Sequence, residues 1–136
     1  MALEFESTGE ISDVVRMSDT LLSPDGCPWD REQTVMDFTK YFGNESAELI
    51  EAIESGDDDS IMEEVGDLMF LCAFLCRVAE KEGRFTLTDA VNEVVQKMIR
   101  RHPHVFGDVK VTSTEEVLEN WQEIKRREKE EGIDKH

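Results

Sequence analysis

"IMEEVGDLMFLCAFLCRVA", residues 61–79, sets three acids in front of a run that is almost entirely apolar. Between residues 68 and 79 the only charged side chain is that of Arg77. A helix that is apolar on nearly every side belongs in the middle of a bundle or at a subunit interface. The run is also shorter than the roughly 20 residues that a membrane-spanning helix needs. The stretch therefore predicts the central helix of an all-α protein that does not enter a membrane.

The rest of the chain carries the same helical pattern. Apolar spacings of three and four residues dominate, and alternating β-branched runs are scarce. We therefore expect an all-α helical bundle of about five helices, formed by a single domain over residues 1–136 and completed by oligomerisation as a homodimer or homotetramer. The expected helices are residues 11–22, 35–55, a third between Ser60 and Gly83, then 87–102 and 114–131.

Capping residues and breakers suggest where these helices begin and end. Thr34 is a candidate N-cap, and Ser60 with Glu63 and Ser113 with Glu116 have the form of capping boxes. Pro103 is expected to stop the fourth helix. The last helix runs into KRREKEE, residues 125–131, which we interpret as a solvated, mixed-charge end. Residues 1–9 and 130–136 are expected to be loosely ordered ends.

Charge excludes several classes of partner. The chain has 15 basic and 32 acidic residues and a formal net charge of −17, which repels nucleic-acid backbones and anionic membranes. The start, MALEFESTGE, lacks the basic-then-apolar order of a signal peptide, so we expect a cytoplasmic protein. A phosphorylated small molecule would need metal ions or a local basic cluster to bind here.

Two pairs of acids lie at the entrances of apolar helix faces. Glu45 and Glu48 are three residues apart on one helix, and Glu64 and Asp67 repeat that spacing on the next. Such spacing puts two carboxylates on one face, and antiparallel packing would bring all four together. Four hard oxygen donors suit Mg²⁺, with Mn²⁺ as the alternative. The other explanation is that acids are frequent in this chain and are favoured near helix N-termini.

Flanking motifs favour the metal site. The frame Glu-x-x-Glu, some twenty residues, then Glu-x-x-Asp, with GCPWDREQT upstream and RRHPHVFG downstream, closely resembles the MazG-type nucleoside triphosphate pyrophosphohydrolases of the all-α NTP pyrophosphatase superfamily. The resemblance runs from about residue 10 to 128. It implies an oligomeric enzyme that hydrolyses nucleoside triphosphates to monophosphate and pyrophosphate, with Mg²⁺ held by Glu45, Glu48, Glu64 and Asp67.

One position departs from that family pattern. The family usually reads Glu-Glu-x-x-Glu, whereas this chain reads NESAE and so has Asn44 in the first position. In the family that Glu is a candidate for orienting or deprotonating the attacking water, and an amide cannot accept a proton as a general base. The substitution predicts slow hydrolysis, unless Asn44 is an ordinary polar residue after Gly43.

Basic residues cluster on the fourth expected helix. Lys97, Arg100 and Arg101 are spaced to share one face, and both residue types bind phosphate oxygens. Salt bridges to the surplus of acids are the alternative explanation. The resemblance favours phosphate binding, with Lys97 as the residue most suited to touch the substrate.

The two tryptophans offer flat surfaces for a nucleobase. Trp29 in CPWD and Trp121 in ENWQEIK are the only indoles, and each would otherwise pack in the core or at an interface. The resemblance implies that both tryptophans belong to the nucleotide-binding pocket. Asp30 could cap a turn or read a base edge, and the sequence leaves both possibilities open.

Three functions follow from these patterns. The first is Mg²⁺-dependent hydrolysis of nucleoside triphosphates (NTPs and dNTPs) to monophosphate and pyrophosphate. A second is a nucleotide-binding or helix-pairing protein of the same fold with little catalysis, as Asn44 would suggest. A third is a relative with one narrow substrate, such as dUTP or phosphoribosyl-ATP.

Overall fold

The computed structural model describes residues 2–133, and within them the chain is all-α, with seven α-helices, one 3-10 helix at Val35–Asp37 and no strand. The α-helices are α1 (Ser12–Leu22), α2 (Pro28–Arg31), α3 (Phe38–Ser55), α4 (Asp58–Lys81), α5 (Leu87–Arg101), α6 (Pro103–Phe106) and α7 (Thr114–Glu130). The five long helices confirm the predicted fold class. The short helices α2 and α6 lie between the helices that the sequence predicts, and each begins with a proline, which suits the first position of a helix.

The helix caps agree with the sequence at two places and differ at one. Thr34 caps the 3-10 helix that leads into α3, and the Ser113 hydroxyl accepts the backbone N–H of Glu116 at 3.2 Å. The predicted capping box of Ser60 and Glu63 is wrong. Asp57 is the N-cap of α4 instead, and its carboxylate accepts hydrogen bonds from both the backbone N–H and the hydroxyl of Ser60. An ionised carboxylate is the stronger acceptor, so Ser60 donates its hydroxyl proton rather than capping.

The chain divides into two compact units, Met1–Leu87 and Thr88–His136. In the first unit α4 packs against both α1 and α3. The buried core of this unit joins Phe38 of α3 to one row of α4, formed by Leu71, Phe74 and Val78. The Phe38 and Phe74 ring centroids are 5.5 Å apart. These contacts confirm that the apolar run of α4 lies in the interior.

Hydrogen bonds to the end of α4 hold the segment that precedes α3. Lys81 donates to the backbone oxygen of Arg31 at 2.8 Å, and Glu82 accepts the backbone N–H of Val35 at 2.7 Å. Arg31 in turn donates to the backbone oxygen of Ser23, just after α1. Arg31 therefore ties the short helix α2 both to the end of α1 and to the end of α4, although no residue of α2 is buried.

In the second unit, α7 carries a buried acid. Glu128 is 3% exposed and accepts hydrogen bonds from Arg100 and Arg101 of α5. The prediction that residues 125–131 form a solvated end is therefore wrong at Glu128. Two guanidinium groups supply the donors that make its burial possible, and a sequence pattern on one helix cannot reveal them.

Several large apolar side chains remain exposed on the first unit. They lie on α3 and α4 and are Ile50, Ile53, Met62, Val65 and Met69. Among the described residues, no helix combines the length and the apolar character that crossing a membrane requires. The ends that were predicted to be loosely ordered, residues 1–9 and 130–136, include residues 1 and 134–136. These four residues lie outside the described residues.

Candidate metal centre and its cavity

Three of the predicted acids meet where α3 packs against α4. Glu45 and Glu48 are one helical turn apart on α3, and Glu64 belongs to the second turn of α4. One carboxylate oxygen from each of the three lies within 4.8 Å of the other two. The packing of two consecutive helices thus converts a spacing in sequence into a cluster of hard oxygen donors.

Burial makes this cluster costly without a cation. Glu45 and Glu64 each have one buried carboxylate oxygen, Oε2, that has no hydrogen-bond partner among residues 2–133. Buried oxygens of this kind are destabilising unless a donor or a cation satisfies them. The donor set and the two unpartnered oxygens both fit a hard divalent cation such as Mg²⁺.

The pKa values of Glu45 and Glu64 also fit a cation site at this cluster. Burial, followed by the charges of Glu48 and Asp67, raises the pKa of Glu64 to about 7. Burial is also the largest cause of the raised pKa of Glu45, and Glu48 and Asp67 again contribute. A positive ion would reverse these shifts, because it favours the ionised form of each carboxyl group.

Asp67, the fourth predicted ligand, lies beside the cluster. It is not one of the three residues whose oxygens meet within 4.8 Å, yet its charge raises the pKa of both Glu45 and Glu64. Asp67 and Glu45 also line one cavity of about 310 Å³. This volume is within the range typical of small-molecule sites.

The cavity has a polar end and an aromatic end. Glu45, Asp67 and Asn44 supply polar groups, so the structure places Asn44 beside the acids, as the motif suggested. The remaining lining is Trp29, Asp30, Tyr41, Phe70, Leu71 and Phe74. An acidic end next to an aromatic end suits a ligand that has both a charged chain and a flat ring.

Two hydrogen bonds fix the aromatic end. The Tyr41 hydroxyl donates to Gln33 Oε1 at 2.8 Å, and Gln33 Nε2 donates to the backbone oxygen of Trp29 at 2.9 Å. The ring centroids of Trp29 and Tyr41 are 5.9 Å apart, and the Trp29 side chain remains 57% exposed. Neither Gln33 nor Tyr41 was predicted to be a site residue. Gln33 lies in the GCPWDREQT motif, and Tyr41 lies one helical turn before Asn44.

The other predicted substrate-binding residues belong to the second unit. Lys97 is half-buried on α5, while Arg100 and Arg101 donate hydrogen bonds of 2.9 Å to Glu128. Burial alone raises the pKa of Glu128, but the hydrogen bonds from Arg101 and Arg100 outweigh burial and hold that pKa below its usual range. The two arginines therefore have a strong protein partner, as the salt-bridge explanation expected.

Trp121 is surrounded by cationic and aromatic neighbours in the same unit. The Arg101 guanidinium lies 5.3 Å from the centre of its ring, and the ring of His102 meets it edge-on at 5.2 Å. His102 in turn bonds through Nδ1 to the backbone oxygen of Met98 at 2.6 Å. The indole is half-buried, so these contacts hold it in one position.

Comparisons with known proteins agree on one family. A family model described as the MazG nucleotide pyrophosphohydrolase domain matches residues 33–106. A Thermotoga maritima protein named nucleoside triphosphate pyrophosphohydrolase/pyrophosphatase MazG is 41% identical over 117 residues, which are 86% of this chain and 44% of that protein. The Escherichia coli K12 nucleoside triphosphate pyrophosphohydrolase is 41% identical over 76% of this chain and 40% of its own.

A solved structure is similar as well. The crystal structure of a mazG-related protein from Thermotoga maritima aligns with a TM-score of 0.71 and 27% identity, and covers 83% of this chain and 96% of that one. The Bacillus subtilis protein YabN, named as uncharacterized, is 45% identical over 80% of this chain but only 22% of its own length. The chain thus spans less than half the length of these curated relatives.

Proposed function

The chain belongs to the MazG nucleotide pyrophosphohydrolase family, and from this premise we propose that it hydrolyses nucleoside triphosphates to nucleoside monophosphate and pyrophosphate with the help of Mg²⁺. The observation that carries the proposal is the acidic cluster on α3 and α4. Its two buried, unpartnered carboxylate oxygens, on Glu45 and Glu64, would be destabilising in a protein that never bound a cation.

The residues that would hold the ion are Glu45, Glu48, Glu64 and Asp67. When bound, a divalent cation would neutralise phosphate oxygens, lower the pKa of a water molecule and favour the departure of pyrophosphate. Manganese offers the same preference for oxygen ligands. The protein itself supplies the placement of the four carboxylates on two packed helices.

The cavity would orient the nucleotide. Its aromatic end offers Trp29 and Tyr41 as a stacking surface for the base, and its acidic end would face the phosphate chain through the bound cation.

The second unit carries the other residues that the sequence predicts to bind substrate. Of these, Lys97 is the proposed contact to phosphate. Arg100 and Arg101 remain proposed contacts as well, but they would have to share or leave Glu128. Trp121 is proposed as a second aromatic contact.

Asn44 limits the catalysis that we propose. It lines the cavity next to Glu45, so its amide can hydrogen-bond a water molecule and hold it in place. The amide cannot take the proton that this water must lose. Since a positioned general base is typically worth about 10² to 10⁴ in rate, we propose that turnover is slow compared with relatives that carry Glu there.

Product analysis tests the activity. The purified protein is incubated with each common NTP and with dUTP, with and without Mg²⁺, and the products are separated by chromatography. We expect monophosphate and pyrophosphate only with the metal, and loss of both in Glu48→Ala. Glu51→Ala is the matched control, because Glu51 is an exposed acid on the same helix. Hydrolysis that is independent of metal, or retained in Glu48→Ala, would refute the proposal.

Asn44 also supports a second candidate, a nucleotide-binding protein with little catalysis. In that case the same incubations would leave the triphosphates intact, while calorimetry would still detect metal-dependent nucleotide binding. Turnover of dUTP alone in the panel would instead identify a narrow-substrate enzyme.

We also propose that the protein acts as a homodimer or homotetramer. The exposed apolar residues of α3 and α4, such as Ile50 and Met62, form a surface that association would remove from water. Light scattering measures the mass in solution, and a monomer at working concentration would contradict this proposal.

A further inference from the structure

Asp30 is the one acid at the aromatic end of the cavity. It lies between Trp29 and Arg31 in the short helix α2, is half-buried, and lines the cavity together with Trp29 and Tyr41. Its carboxylate has no hydrogen-bond or ion-pair partner within residues 2–133. Arg31, the nearest cation in sequence, donates instead to the backbone oxygen of Ser23. The acid is therefore available to a ligand in the cavity.

The surroundings of Asp30 hold it in place. Gln33 binds the backbone oxygen of Trp29, the residue directly before Asp30, and Tyr41 binds Gln33. Lys81 binds the backbone oxygen of Arg31, the residue directly after it. Both peptide neighbours of Asp30 are thus anchored to helices α3 and α4. A carboxylate on an anchored backbone can discriminate between ligands, because little conformational entropy is lost when it binds.

The chemistry of a carboxylate decides what it can recognise. An ionised carboxyl group only accepts hydrogen bonds. Cytosine and adenine carry an exocyclic amino group, which donates a hydrogen bond, at the position where uracil, thymine and guanine carry a carbonyl oxygen, which accepts one. A carbonyl facing the carboxylate would leave two acceptors opposed and unpaired, which disfavours binding.

We propose that Asp30 determines base specificity in this cavity, by accepting a hydrogen bond from the exocyclic amino group of the base and so favouring cytosine and adenine over uracil, thymine and guanine. The inference rests on the proposed nucleotide function of the same cavity. The acids at the other end, Glu45 and Asp67, keep their separate role toward the cation and the phosphates.

Paired substrates test the proposal. CTP and UTP differ chiefly in an amino group against a carbonyl oxygen, and a charge-assisted hydrogen bond typically changes affinity about ten- to a hundredfold. We expect kcat/KM for CTP to exceed that for UTP by about tenfold or more. In Asp30→Asn the ratio should fall toward one, because an amide both donates and accepts. Asp25→Asn, at an exposed acid outside the cavity, is the matched control and should keep the ratio.

A substrate analogue gives the same information without changing the protein. The triphosphate of pyrimidin-2-one riboside lacks the 4-amino group of cytidine and has no 4-carbonyl, so the wild-type protein should hydrolyse it with a kcat/KM below that for CTP but not below that for UTP. Equal kcat/KM values for CTP and UTP in the wild type, or an unchanged ratio in a folded Asp30→Asn protein, would overturn the proposal.

Binding separates this proposal from the activity on which it rests. Calorimetry with CMP and UMP requires no hydrolysis, and CMP should bind more tightly in the wild type but not in Asp30→Asn. If no triphosphate is hydrolysed while CMP is still preferred, the proposed activity fails and the role of Asp30 stands. If neither monophosphate binds at millimolar concentration, or if both bind equally, the role of Asp30 is refuted.

Discussion

One carboxylate oxygen of Glu45 on α3 lies within 4.8 Å of one of Glu64 on α4, although the two residues are nineteen positions apart in sequence and belong to different helices. Each of these side chains also keeps one buried oxygen without a hydrogen-bond partner in the described part of the chain. Two carboxyl groups in such an arrangement repel each other when both are ionised. Ionisation of both groups should therefore destabilise the protein, and a bound cation should offset that cost.

The metal-free protein should lose stability as the pH rises from about 5 to 8. The folded-state pKa of Glu64 is raised from 4.5 to about 7, so its favourable contribution is complete below pH 4.5 and is lost as the pH rises through 7. Urea denaturation in EDTA at both pH values measures the difference. In Glu64→Gln the difference in the free energy of unfolding between the two pH values should become smaller. Glu63→Gln changes the exposed neighbouring acid and should keep that difference.

Added Mg²⁺ should reverse that trend. Ligand carboxyl groups must be ionised to bind a cation, so Mg²⁺ should raise the midpoint of thermal unfolding more at pH 8 than at pH 5. Differential scanning fluorimetry over a range of Mg²⁺ concentrations provides the measurement. An equal rise at both pH values, or the same rise in Glu64→Gln, would speak against a cation at this cluster.

Restoring the family residue at position 44 should accelerate hydrolysis. Asn44→Glu adds a group that can take a proton from water, and kcat should rise by about 10² or more. Asn44→Gln is the control, since it has the length of Glu but cannot act as a base. Single-turnover measurements with a saturating nucleotide compare the three proteins. The base argument fails if Asn44→Glu is no faster than Asn44→Gln.

Removing the charge of Glu128 should destabilise the second unit. Glu128→Gln removes the charge of the carboxylate that pairs with Arg100 and the buried Arg101, and breaking a buried pair on one side costs about 3 kcal/mol or more. Chemical denaturation measures the free energy of unfolding. Glu130→Gln removes an exposed partner of Arg126 and should cost less than about 1 kcal/mol. Similar losses in the two variants would contradict this account of Glu128.

Two glycines should respond in opposite directions to alanine. A Cβ atom on Gly26, next to the CPWD segment, would lie 2.3 Å from the backbone oxygen of Leu21, and overpacking of this kind costs about 1–3 kcal/mol. Gly43 lies within α3 with nothing within 4 Å of a Cβ, so Gly43→Ala should stabilise the helix by about 0.5–1 kcal/mol. The midpoint of thermal unfolding should fall in Gly26→Ala and rise in Gly43→Ala. A Gly26→Ala protein as stable as the wild type would contradict the close backbone contact next to Trp29.

Much of the fold and part of the site could be predicted from the sequence, because both depend on local spacing. The repeat of apolar residues along α4 requires a buried helix, and the spacing of three residues puts Glu45 and Glu48 on one helix face wherever α3 packs. Asn44 was recognised as a departure for a different reason, because the family that the chain resembles usually has Glu at that position.

Other features depend on which segments meet in space. Gln33 joins Tyr41 to the backbone of Trp29, Glu128 is buried between two arginines of another helix, and the carboxylate of Asp57 displaces Ser60 as the cap of α4. Each outcome was decided by a hydrogen bond or ion pair whose partner no helical repeat specifies. The helices and the acids that they carry follow from the sequence alone, because helical periodicity is local. Which acids meet each other, an arginine or an open cavity depends on the tertiary structure, because those energies depend on distance and burial.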